Sequence, residues 1–223
     1  MGPCPANDPT HVTAHATRHT PHAAEPPMDM LTREDLLSLE RYAAERPAFR
    51  ERVLRHKRTR RLPIGPNATL HFEDRLTMQY QVQEILRTER IFEADQIEAE
   101  LDAYNPLIPD GSNWKATFMI EFDDEDERRA ALGRMVGIED RVWARVGDAG
   151  PVWAVADEDL ERTTDEKTSS VHFLRFELAS GMAAAARGGA PIAVGIDHSA
   201  YSHRADPVPE AVRASLAADL DPA

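Results

Sequence analysis

Apolar residues recur at helical spacing through residues 32–104 and at every second position through most of residues 115–197, so helices followed by strands are expected. The longest helical run without a breaker spans residues 73–92. Within it Met78, Val82, Ile85, Leu86 and Phe92 fall on one side, and Gln79, Gln83, Arg87 and Arg90 on the other. Glu89 continues the row of Met78, Val82 and Ile85, so a buried carboxylate is expected there, with Arg175 as its charge partner. Upstream, Thr32-Arg33-Glu34-Asp35 has the form of a helix start, and Leu36, Leu39, Tyr42 and Ala43 supply the apolar face of a helix ending near Glu45. Pro47 suits the first turn of a second helix lined by Phe49 and Val53. A short strand at residues 69–72 leads into the central helix. A further helix follows through Ala94, Ile97, Leu101 and Tyr104, and Asn105-Pro106-Leu107-Ile108-Pro109-Asp110-Gly111 stops it.

Beyond Lys115 the alternation of Phe118, Ile120 and Phe122 with Thr117, Met119 and Glu121 marks a strand, and residues 141–146, 152–156, 171–178 and 192–196 are further strand-like runs. Gly147-Asp148-Ala149-Gly150 is short enough to close an antiparallel hairpin. Helices are expected at residues 125–136, 181–187 and 209–220. The fold class is α+β, with N-terminal helices packed on a mostly antiparallel sheet of about five or six strands. Residues 30–223 are expected to form one domain, mainly helical over 30–111 and sheet-rich over 112–223.

Composition removes residues 1–29 from that domain. They are rich in Pro, Thr, Ala and His without a hydrophobic period, the signature of a disordered tail, and Met28 or Met30 is the expected true start. His11, His15, His19 and His22 would align only if that tail became helical. Asp and Glu outnumber Lys and Arg 39 to 26, and the net charge of −13 argues against whole-surface attraction to nucleic acid or anionic lipid. The exception is residues 46–61, a strongly basic stretch that reads as a phosphate contact or as internally paired cations. Cys4 is the one cysteine, so no disulfide framework or cysteine-based metal site is expected within the chain. No 18-residue apolar span or signal-peptide core occurs, and a cytoplasmic protein is expected.

Several motifs occur together: Leu70-His71-Phe72-Glu73-Asp74-Arg75, Gln83-Glu84 with Glu89, Tyr104-Asn105-Pro106-Leu107-Ile108-Pro109, Thr117 with Ile120-Glu121, and residues 167–176 from Lys167-Thr168-Ser169-Ser170 to Phe176. As a set these resemble an uncharacterised bacterial family, domain of unknown function 3501, over residues 31–220. What the resemblance implies is a context, genes encoded beside those of rubrerythrin-like di-iron proteins and iron–sulfur oxidoreductases. The resemblance therefore implies an accessory or interaction protein of a redox or peroxide-defence module, with those proteins as partners.

The residues offer a second class of function. No phosphate-cradling glycine loop, Gly-x-Ser-x-Gly elbow, His-Glu-x-x-His or Glu-x-x-His pair is present. The candidate polar constellation is Glu84, Glu89, Glu121, His172, Arg175, Asp197, His198, Tyr201 and His203, with the last four expected in a loop after the final strand. Oxygen and nitrogen ligands of this kind suit iron, manganese or zinc, and His198 and His203 are the candidate metal ligands of a metal-dependent enzyme or metal-binding protein. Each residue also has a structural reading as a member of a buried polar network. Nucleic-acid binding through residues 46–61 ranks third, behind both.

Overall fold

The computed structural model describes residues 30–158, 162–164 and 166–221. The expectations for the tail, including its four histidines, lie outside the described residues. Helix α1 (Leu39–Lys57) is followed by β1 (Arg61–Pro63), β2 (Ala68–Phe72), α2 (Arg75–Glu89), α3 (Ala94–Tyr104), β3 (Asn113–Ile120) and α4 (Glu125–Arg134). Then come β4 (Val142–Val146), β5 (Val152–Trp153), β6 (Val155–Ala156), β7 (Val171–Glu177), α5 (Ser180–Arg187), β8 (Ile192–His198), β9 (Tyr201–Ala205) and α6 (Glu210–Ala218).

The α+β class holds, and its strands divide between two antiparallel sheets. One has the order β1-β2-β3-β7-β6 and the other β5-β4-β8-β9. Leu70, Phe72, Trp114, Phe118 and Phe176 from the first sheet share one core with Val142, Ala144, Ile192, Val194 and Ile196 from the second. Period-two patterning produces this, because alternate residues of each strand enter the shared interior. Residues 152–156 join the layers: Trp153 pairs with Trp143 in one sheet, and Val155 pairs with Arg175 in the other. The expected hairpin at residues 147–150 connects β4 to β5. Strands β1 and β9 were not evident from pattern, since one is three residues long and ends in proline and the other is mostly polar.

A second apolar cluster, Leu31, Met78, Val82, Leu86, Ile91, Leu101 and Ile108, lies among the N-terminal elements. The capping box at Thr32 forms but closes only a 3-10 turn over Arg33–Asp35. Helix α1 then starts at its own cap, Ser38, and runs straight through Pro47, so the expected break there is absent. Proline at that point forgoes one backbone hydrogen bond, a loss that tertiary packing of Tyr42 and Val53 on either side outweighs. At the start of α2, Asp74 accepts from the Thr77 amide while the Thr77 hydroxyl accepts from the Asp74 amide. Among the described residues no helix is long and apolar enough to cross a membrane.

Candidate functional site

The polar residues singled out by sequence do not converge. Glu84 on α2 takes a two-pronged hydrogen bond from Arg46 at 2.7 Å and one from the Tyr42 hydroxyl at 2.5 Å, which ties α1 to α2. Glu89 is exposed, which corrects the expected buried pair with Arg175. The reason lies at the helix end. Arg90 takes a left-handed conformation (φ 58°), and the Ile91 amide bonds back to the Leu86 carbonyl, so Ile91 turns into the core and the last helical turn is left outside it. Phe92, expected on the apolar face, is 70% exposed, and Gln83, expected on the polar face, is fully buried. Arg175 instead pairs with Glu158 at 2.8 Å and with Glu177, and these carboxylates hold its guanidinium above its ordinary range.

The remaining candidates lie apart from these. The Glu121 side chain is exposed. Asp197 pairs with Arg141 at 3.1 Å. Tyr201 is buried and donates to the Ile64 carbonyl at 2.7 Å while accepting from the Asn67 amide at 3.0 Å. This close approach requires glycine at Gly65 (φ 75°), where a Cβ would lie 2.6 Å from Tyr201 and His203. The region expected as a loop is the β8–β9 hairpin, in which His198 faces Tyr201 and Ile196 faces His203. His198 and His203 are therefore two rungs apart, His198 against the Val136 carbonyl and His203 against the Tyr201 ring. Among the described residues no three His, Cys, Asp or Glu side chains are grouped to hold a metal ion.

Three of the cations of residues 46–61 are engaged in ion pairs, while Arg50, Arg52, Arg58 and Arg61 are exposed and have none among the described residues. Arg46 meets Glu84, Arg55 meets Glu51, and Arg60 is 2% exposed within a cage of the Phe72 and Glu73 carbonyls, Ser215, Asp219 and Asp74.

His172 does belong to a network, with partners that the sequence did not mark. It lies on the core face of β7, wholly buried, with its ring near that of Phe118. Its Nδ1 is 2.5 Å from Asp157, and its Nε2 is 2.8 Å from the Thr168 hydroxyl and 3.1 Å from the Ser169 carbonyl. Thr168 donates to Glu139 at 3.0 Å, Thr163 also donates to Glu139, and Arg162 donates to Asp157 at 3.2 Å. A carbonyl only accepts, and the single Thr168 hydrogen goes to Glu139. Nε2 therefore acts as the donor where it meets the Ser169 carbonyl, and Nδ1 faces the Asp157 carboxylate. Asp157, at φ 48°, also brackets the backbone of Phe173, accepting from its amide and donating to its carbonyl. The Asp–His–Thr order has the spacing of an orienter, base and nucleophile. Thr168 is 1% exposed and its hydrogen is committed to Glu139, so the arrangement serves to tie the β6–β7 connection to the core.

The profile of the family described as Protein of unknown function (DUF3501) matches residues 30–220. The chain belongs to this family. A crystal structure of a novel protein of unknown function from Burkholderia pseudomallei K96243 is 56% identical, with a TM-score of 0.79, and the match covers 86% of this chain and 100% of that one. No curated protein matches.

The DUF3501 motifs present here have structural roles. The Asn105 side chain accepts from the Leu31 amide at 2.8 Å and donates to its carbonyl at 2.9 Å, as a paired strand would. Gln83 does the same to Leu37, at 2.6 and 3.3 Å. Glu73 accepts from Thr117 at 2.7 Å. At Glu84 the Arg46 bonds hold the carboxyl below the usual range, against burial. A depressed carboxyl stabilises the fold above its ordinary value of 4.5, and this contribution is lost as pH falls through its folded value. Glu84→Gln is expected to be less stable than the parent at pH 6, with the gap closing toward pH 3. Urea unfolding across that range reads it, and a pH-independent gap would remove Glu84 from the acid response.

Proposed function

We propose that this protein is a non-enzymatic accessory protein that docks a partner of a redox or peroxide-defence module in the cytoplasm. The observation that carries the reading is a groove of about 590 Å³ where the segment before α1 crosses the α2–α3 turn. Leu36, Leu39, Leu86, Ile91 and Ile97 line it, Phe92 stands at its edge 70% exposed, and Arg33, Glu34 and Glu40 border it. An exposed aromatic beside an apolar trough with a charged rim is the composition of a protein-binding surface that receives the apolar side chains of a partner helix. The engagement of Glu84, His172, Arg175 and Asp197 in internal ion pairs fits a binding role better than a catalytic one. The partner class, a rubrerythrin-like di-iron protein or an iron–sulfur oxidoreductase, is the one that the resemblance to the DUF3501 motifs implies.

Calorimetric titration of the purified protein against each partner class from the same organism tests the proposal. Binding in the micromolar range is expected, corresponding to about −8 kcal/mol. Phe92→Asp is expected to weaken it tenfold or more, roughly 1.4 kcal/mol, without changing thermal stability. Failure of both partner classes to bind, or binding indifferent to Phe92→Asp, would overturn the assignment.

A further inference from the structure

The face of the β5-β4-β8-β9 sheet turned away from the core carries a row of four in-register residues. Trp153 pairs with Trp143, Trp143 with Gly195, and Gly195 with Arg204. A Cβ at Gly195 would lie 2.4 Å from the Trp143 ring, so the indole lies directly on the β8 backbone and extends toward Arg204. On one side of this row Arg145 pairs with Asp206 at 2.8 Å, and on the other Arg141 pairs with Asp197 and covers the Trp153 ring at 4.8 Å. Trp143, Trp153, Arg145, Asp197, Arg204 and Asp206 are among the residues that line a cleft of about 490 Å³.

The cleft lining holds two arginines, Arg145 and Arg204, and two aspartates, Asp197 and Asp206, while Arg141 reaches Asp197 from outside the lining, in a protein of net charge −13. Asp197 and Asp206 are each spent on one arginine. Arg204 is exposed and has no ion pair among the described residues, and Ser202 exposes its hydroxyl beside it. Arg145 uses one nitrogen on Asp206, while its buried Nε–H has no hydrogen-bond partner among the described residues. A flat indole floor calls for a planar ring, and an uncompensated guanidinium calls for an anion that can accept two hydrogen bonds.

We infer that this cleft binds a small ligand made of a planar aromatic ring and an anionic group, the ring stacked on Trp143 and the anion held by Arg204. Nucleotides and aromatic carboxylates share this chemistry. The full chain contains three tryptophans, whose indole N–H signals distinguish the site from the core. Trp114 is fully buried with its N–H bonded to the Leu216 carbonyl, and it serves as the internal control.

Titration with adenosine 5′-monophosphate or 2-naphthoate is expected to shift the Trp143 and Trp153 indole signals and leave that of Trp114 in place. A response to one probe alone selects between nucleotide and carboxylate. Adenosine, which lacks the anion, and inorganic phosphate, which lacks the ring, are expected to bind at least tenfold more weakly. Arg204→Gln, a change of an exposed side chain, is expected to weaken binding of the active probe about tenfold, as for loss of a charged hydrogen bond. The proposal is overturned if neither probe moves the two signals, if inorganic phosphate alone moves them equally, or if Arg204→Gln leaves the affinity unchanged. It is equally overturned if sedimentation shows a dimer that Arg204→Gln dissociates, since the face would then belong to a second copy of the chain.

Discussion

Replacing His172 with alanine is expected to destabilise the protein by about 3–5 kcal/mol, because it leaves a cavity in place of a fully buried ring and takes one hydrogen-bond partner from each of Asp157 and Thr168. Native stabilities lie at about 5–15 kcal/mol, so this one change removes a large share of the total. The effect exceeds that of simple truncation because the ring is fully buried and both of its nitrogens are bonded. Urea unfolding at pH 7 measures the loss as a lower midpoint. Glu89→Ala, at an exposed position, is the control and is expected to stay within about 0.5 kcal/mol. A loss below about 1 kcal/mol for His172→Ala would mean that the network adds nothing beyond packing.

Arg60→Met is the second large change. The guanidinium donates to Asp219 at 2.6 and 3.0 Å, to Ser215 at 3.1 Å and to the Phe72 and Glu73 carbonyls at 2.9 Å, while Asp74 lies 3.2 Å from its Nε. Burial works against its charge, and the bond to Asp219 outweighs it, so Arg60 remains protonated. Methionine fills the volume but leaves Asp219 and two carbonyls without donors, for an expected cost of about 3–5 kcal/mol. Pairing the change with Asp219→Asn is expected to reveal a coupling of about 0.5–3 kcal/mol. Additive losses would show that Arg60 acts through its carbonyl bonds alone. Because Asp219 follows α6, the result also bears on how the C-terminal helix is held against β2.

Periodicity by itself determined most of the order of helices and strands, though not β1, β9 or the division of residues 152–156, together with the α+β class, the hairpin after β4 and the stop after α3. These follow from patterns of apolar positions and from breakers such as Pro106 and Gly111, which act within a few residues of themselves. The same local reasoning failed at Pro47, where packing carried the helix through, and at Glu89, where one left-handed residue ended the buried face a turn early.

The partners of the buried charges were beyond reach of the sequence. Arg60 meets Asp219 across 159 positions and Glu84 meets Arg46 across 38, while His172 is flanked by Asp157 and Thr168 at separations of 15 and 4 that match no regular element. His198 and His203, offered as a metal pair, were kept apart by the register of a hairpin whose second strand is too polar to announce itself. A helix or strand is specified by neighbours along the chain. The energy of a buried ion pair depends on desolvation and on ångström-scale geometry between distant segments, and only the tertiary structure decides both.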